Sequence, residues 1–272
     1  MANGTVTKIR RQQNGPWFSV SVDYHHKPKK VEMARNVILA TGIKDILPDT
    51  PGIRENWGKG IYWCPWCDGH EHADQPLGLL GPLHKLAGMV RDMRTLNTDV
   101  VAFINGTDNN TMRNLADKEY PGWEEYLEQH NVTIEKRTIT RIERVIKDSD
   151  EESKRRYKRG SKDNECGDKC SNRPSVPEFD LFDVHFSQGT PIRRAAFLAI
   201  FPTRQTSNIG AEAGVILVGG NPRLSIDNHT MMTNVPGIYA VGDASSYGAT
   251  SIPFAMFSGK RAAISVHSST LP

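Results

Sequence analysis

Two kinds of hydrophobic pattern run along this chain. In the first, Phe18, Val20 and Val22 alternate with Ser19, Ser21 and Asp23, while Val6 and Ile9 lie on the other side of Asn14-Gly15-Pro16. A period of two around a turn signal predicts antiparallel strands, each with one covered face. In the second, apolar residues follow one another without interruption. The run Asn36–Gly42, NVILATG, ends in Thr-Gly and predicts a strand buried on both faces. Past a connector rich in Pro and Gly and the segment LGLLG, the residues Leu83, Leu86, Ala87, Val90 and Met93 recur at helical spacing, and DVVAFING reads as the next strand. Strand, helix and strand in that order predict a βαβ unit.

From Lys147 to Arg173 the pattern vanishes. The stretch KDSDEESKRRYKRGSKDNECGDKCSNR is charged and nearly free of aliphatic residues, too polar to offset the entropy of its own ordering, so a disordered insertion is expected. Its centre, KRRYKR, is flanked by acids and reads as a solvated loop rather than a nucleic-acid patch. Apolar segments resume at FDLFDVHF, AAFLAIF, GVILVGG and GIYAVGD, and no repeat at solenoid spacing is visible.

Composition narrows the class. With 272 residues, 38% hydrophobic and 24% charged, the chain can bury one large core or two modest ones. A net charge of +3 gives little support to nucleic-acid binding. No apolar run reaches membrane-spanning length, and the first residues lack the apolar core of a secretory signal. A cytoplasmic protein is expected, in which four cysteines point to catalysis or metal binding rather than structural staples.

The chemistry concentrates in IYWCPWCDGHEH, Ile61–His72. A CxxC pair opening a helix puts its first sulfur near the positive helix end, which favours the thiolate. Thiol–disulfide exchange also needs a proton acceptor nearby, and Asp68 follows Cys67 directly. His70 is a further candidate base towards Cys64 or a substrate thiol. Zinc is the rival use: Cys64, Cys67, His70 and His72 can be counted as ligands, or Cys166 and Cys170 can complete a four-thiolate set, although the histidine spacing is short for such a site. Trp63 and Trp66 flank the sulfurs, as walls of a substrate groove or as packing for the helix. Met231, Met232 and Met256 are expected in the core.

Taken in order and at their intervals, ARNVILATG, CPWCDG and GIYAVGDASSYGATSIPFAMFSGKRAA resemble thioredoxin reductase of the low-molecular-weight type and the related dithiol oxidases of secondary metabolism. The resemblance implies an α/β fold of two Rossmann-like FAD/NAD(P)-binding domains, the first shortened at its N-terminus and interrupted by the second. Residues 1–57 with 205–272 would form the FAD-type domain, and 58–204 the inserted redox domain. It also implies roles: Cys67 facing the flavin, Cys64 exchanging with substrate, and Asp68 as acid/base. Thr41, Gly42, Gly242, Asp243, Ile252 and Pro253 would lie at FAD, with the helix of Ser251–Ala262 pointing its N-terminus at the ring.

Departures from that pattern shape the expected function. The GxGxxG turn that holds the FAD pyrophosphate in the family does not occur in these residues, so a weak or incomplete FAD site is expected, completed by a partner chain or by sequence upstream of Met1. Pro82 and Leu83 stand where glycines would admit the NADPH pyrophosphate, which makes NADPH unlikely as a cofactor, although Lys85 and Arg91 leave positive charge unassigned. The reading is an FAD-dependent oxidoreductase that takes electrons from a small-molecule dithiol and passes them through flavin to oxygen, as a homodimer without nucleic-acid or membrane partners. The alternative is a flavin-free relative acting as a thiol protein or binding partner.

Overall fold

The computed structural model describes residues 3–146, 180–218, 222–248 and 250–270. The whole of the expected insertion at 147–173, with KRRYKR, Cys166 and Cys170, therefore lies outside the described residues. The chain divides into two units, Met1–Ile46 with Pro202–Pro272 and Leu47–Phe201. The changes of unit fall at 46/47 and 201/202, where the sequence reading put them at 57/58 and 204/205.

The first unit begins with the alternating segments. Strands β1 (Gly4–Arg11), β2 (Phe18–Tyr24) and β3 (Lys30–Ala34) form an antiparallel sheet in that order. Phe18 and Val22 of β2 are buried, as the alternation requires, while β3 was not expected. The continuous run yields only a short strand, β4 (Val37–Leu39), and Ile38 is 42% exposed while Leu39 is buried. Burial on both faces is thus not realised: the face carrying Ile38 is open, and among the described residues β4 has one parallel partner, β15 (Ile238–Ala240). Strands β5 (Ile43–Asp45) and β14 (Thr203–Gln205) pair antiparallel, and Ile46 N donates to Pro202 O at 2.7 Å. The interruption of this unit therefore starts and ends on neighbouring strands. A short helix, α5 (Ile209–Glu212), and a long C-terminal one, α6 (Ile252–Thr270), complete it.

The second unit is built on a parallel sheet of order β6-β13-β7-β8-β9, comprising β6 (Ile61–Tyr62), β7 (Leu77–Leu80), β8 (Val100–Phe103), β9 (Thr133–Glu135) and β13 (Ala196–Ala199). Helix α2 (Leu86–Met93) connects β7 to β8, completing the expected βαβ unit. Period-two geometry sends alternate residues to opposite faces. Leu77, Leu79, Val100, Ala102, Ala196 and Leu198 pack with the apolar stripe of α2, with Ala116 of α3 (Asn110–Glu119) and with Trp123 and Leu127 of α4 (Trp123–Gln129). Leu80, Val101, Phe103, Phe197 and Ala199 pack on an antiparallel sheet of β10 (Ile139–Ile146), β11 (Asp180–Phe186) and β12 (Ile192–Arg194). Central strands covered on both faces explain the uninterrupted apolar runs. Gly78 is required there, since a Cβ would stand 2.3 Å from the Phe197 ring.

At the ends of β10 and β11, Ile146 faces Asp180 across the ladder. Arg144 Nε donates to Asp180 Oδ1 at 3.1 Å, and both side chains are almost fully buried. Among the described residues no helix is long and apolar enough to cross a membrane.

Candidate active site

The sulfur pair stands where the parallel sheet releases the chain. Edge strand β6 ends at Tyr62, Trp63 and Cys64 follow, and α1 (Pro65–Asp68) turns back. Pro65 suits the first helical position because its missing N–H would have had no intrahelical acceptor. The turn closes through Cys67 N and Asp68 N, each donating to Cys64 O at 3.2 Å, and through Gly69 N to Pro65 O at 3.0 Å. Gly69 has no room for a side chain: its Cβ would lie 2.3 Å from Pro65 O. Within this turn Cys64 and Cys67 are joined as a disulfide, Cys64 half-buried and Cys67 exposed.

Asp68 is half-buried beside them, and burial raises its carboxyl above the ordinary range, with the negative charge of Glu71 adding to the effect and His72 opposing it. A raised carboxyl is better suited to accept and return a proton near neutrality. His70 begins a 3₁₀ turn, His70–His72, and its side chain is exposed. His72 is the opposite, 2% exposed with Nδ1 3.2 Å from Gln75 Oε1, and Nε2 is buried without a hydrogen-bond partner. One histidine faces water and the other the interior, so they do not form a ligand pair. Among the described residues no three His, Cys, Asp or Glu side chains gather as metal ligands would.

The sequence reading named His72 only as a zinc ligand, because burial of a single histidine between two charged or small residues leaves no periodic signal. Trp63 stacks on Trp57 at 5.3 Å between ring centroids, and Trp57 meets Phe201 at 5.7 Å. Trp66 is 81% exposed, so packing does not account for it. Met231 is buried as expected, but Met256 is 71% exposed on α6, against the expectation of a core residue. Position on a helix face, not apolarity, decides such a case.

In the first unit the residues expected at FAD come from two adjacent parallel strands. Thr41 and Gly42 follow β4, and Gly242-Asp243 follow β15, joined by Val241 N donating to Leu39 O at 3.0 Å. The carboxyl ends of parallel strands are where open α/β sheets bind ligands. Gly242 has φ of +59°, a conformation glycine adopts without strain, and its N–H donates to Ser258 Oγ of α6 at 2.9 Å. Arg223 Nη1 holds the main-chain oxygen of Asp243 at 2.6 Å, while no described residue hydrogen-bonds the Asp243 carboxylate. A fixed backbone with an unoccupied carboxylate acceptor fits a hydroxyl-bearing portion of FAD. Ile252 and Pro253 sit exposed in the first turn of α6. A pyrophosphate needs a run of backbone donors that these residues do not supply.

Lys85 and Arg91 are not spare charges: Lys85 Nζ pairs with Glu119 at 2.8 Å and Arg91 Nε with Asp92 at 3.3 Å.

An α/β chain of this topology has the fold of FAD/NAD(P)-binding proteins, here with a disulfide just past the carboxyl end of a parallel strand. More particularly, the chain is similar in sequence to proteins named thioredoxin reductase. It is 40% identical over 267 residues to a protein of Arthroderma benhamiae named probable thioredoxin reductase, covering 96% of this chain and 61% of that one. It is also 37% identical over 79 residues to thioredoxin reductase tcpT of Claviceps purpurea, a match of 27% of this chain and 25% of that protein. The chain thus spans about three-fifths of the length of the Arthroderma relative. No family profile matches it. Among solved structures, an oxidoreductase from Agrobacterium tumefaciens superposes with a TM-score of 0.70 at 21% identity, covering 98% of this chain and 72% of that one. A thioredoxin reductase from Streptococcus pyogenes MGAS5005 gives 0.62 at 17% identity, covering 97% and 72%. At these identities the structures establish the fold.

Proposed function

We propose that this chain is a thiol–disulfide oxidoreductase in which a small-molecule dithiol, of the kind made in secondary metabolism, is oxidised by the Cys64–Cys67 disulfide. The observation that carries this reading is the closed disulfide on a turn of its own, next to a carboxyl whose affinity for protons is raised. Asp68 accepts the proton of the first substrate thiol. The resulting sulfur bonds one cysteine, the Cys64–Cys67 bond breaks, and its electron pair leaves on the other cysteine. Attack by the second substrate sulfur then releases the oxidised product and leaves both cysteines reduced. The exposed Trp66 and the Trp63–Trp57 stack offer apolar surface to such a substrate.

FAD, when bound, supplies the two-electron acceptor that regenerates the disulfide. Thr41, Gly42, Gly242 and Asp243 are the residues that would hold it, with Ile252 and Pro253 at the start of α6. A second copy of the chain is the partner we assign. The exposed Met256, Phe257 and Ile264 of α6 support that assignment.

Trapping tests the reading. With Cys67→Ser, a dithiol substrate should remain as a mixed disulfide on Cys64, detected as added mass; with Cys64→Ser it should not. Added mass in the Cys64→Ser protein instead would exchange the two roles, and its absence in both would overturn the function.

A further inference from the structure

His72 is a buried base that the exchange just described does not use. An amide oxygen only accepts hydrogen bonds, so the contact of Nδ1 with Gln75 Oε1 puts the ring hydrogen on Nδ1 and the lone pair on Nε2. That nitrogen has no partner in a nearly inaccessible position. The ring is also held in place. Tyr62 packs against it at 5.1 Å between centroids, and the buried Asn97 side chain donates to His72 O at 2.7 Å and to Gln75 O at 2.9 Å. His72 lines, together with Cys64, Asp68 and Tyr62, a small cavity of about 10 Å³. The remaining wall, which includes Leu77, Met93 and Phe197, is apolar, so Asp68, Cys64 and the Tyr62 hydroxyl are the titratable groups on that side, and Glu71 stands exposed on the same turn as His72. Buried polar atoms in folded proteins are almost always paired, and an unpaired one beside a reactive group calls for a use.

We propose that His72 is a proton-holding positioning residue of the disulfide site, its bare Nε2 receiving, through Asp68, one of the two protons that a dithiol surrenders. This rests on the thiol–disulfide reading above. Two substrate S–H bonds break, one substrate S–S bond forms, and the cysteine pair gains two electrons. One proton ends on a cysteine sulfur and the other on Nε2. The reduced site then holds one thiol and one thiolate, the latter balanced by an imidazolium and kept nucleophilic for the next exchange.

Two measurements on the full chain decide the matter, with dithiothreitol as the probe. The first is NMR of the histidine ring nitrogens in the wild-type protein, with His72 assigned through His72→Gln. The ring should be a neutral Nδ1–H tautomer in the oxidised protein and carry hydrogen on both nitrogens after reduction; an unchanged ring in both states would overturn the inference. The second is the rate of disulfide reduction against pH, followed by tryptophan fluorescence. His72→Gln should slow reduction near neutrality by about tenfold or more and remove one ionisation from the profile. Gln75→Glu, which places a carboxylate opposite Nδ1–H, should move that ionisation to higher pH. A merely structural histidine would lower stability and leave both profiles as in the wild type, which overturns the proposal even if His72→Gln fails to fold. If dithiothreitol cannot reduce the wild-type disulfide at all, the thiol–disulfide reading itself falls, and the two failures are told apart.

Discussion

At the scale of single residues, the behaviour of Asp68 follows from where α1 places it. Its folded-state affinity for protons is raised above that of an unfolded carboxyl. The stability it contributes is therefore present below the ordinary carboxyl range and is lost as pH rises through the raised value. Asp68→Asn should thus be at least as stable as wild type at neutral pH and lose that advantage in acid, as thermal melts across pH would show. The same substitution should slow dithiol oxidation by about a hundredfold or more, the usual contribution of a positioned acid/base. A variant that keeps its rate would remove Asp68 from the chemistry. That Cys64, Cys67 and Asp68 stand together on one turn was legible in the sequence, because their spacing dictates it. His72 was not, since nothing in GHEH tells which histidine turns inward; that is settled by Asn97 and Gln75, one of them 25 residues away.

Elements were legible in proportion to how much of their environment the chain carries locally. The alternating strands β1 and β2 and the helix α2 have their periods written in them, and they fold as read. The short β4 was read as doubly buried from apolarity alone, but its partner strand β15 comes just over two hundred positions later. The buried pair Arg144–Asp180 is another product of distant strands, and it fixes β10 against β11. Asp180→Asn removes the buried carboxylate to which Arg144 Nε donates and should lower stability in urea unfolding. The double change Arg144→Met with Asp180→Leu should recover most of that loss, because an apolar pair of similar volume carries no desolvation penalty. Similarly, Ser258→Ala removes the acceptor for Gly242 N. Leaving that buried N–H unpaired should destabilise the first unit by about 1–3 kcal/mol, and the loss should appear in its hydrogen exchange before that of the second unit.

For the whole molecule, the question is whether residues suited to one portion of FAD suffice to retain it. Purified protein should show the flavin absorption bands, and heat should release FAD at less than one equivalent per chain, rising when FAD is added in excess. A colourless protein that takes up none would leave the disulfide as a flavin-free thiol site. The division into two units changes at 46/47 and 201/202, eleven and three residues before the edges expected from the family resemblance, and the connector rich in Pro and Gly falls in the second unit.

The paired strands at those edges bear on how such a chain could have been lengthened. Residues 46 and 202 are hydrogen-bonded neighbours, and the strand ends at 146 and 180 face each other across the β10–β11 ladder. A ladder whose two ends already touch accepts new sequence between them at a closure cost that grows only by about 0.6 kcal/mol per doubling of length. Both interruptions thus occupy places where genetic insertions are least harmful, and the same two places are where a reporter domain could be spliced, or the chain circularly permuted, with its strands still in register.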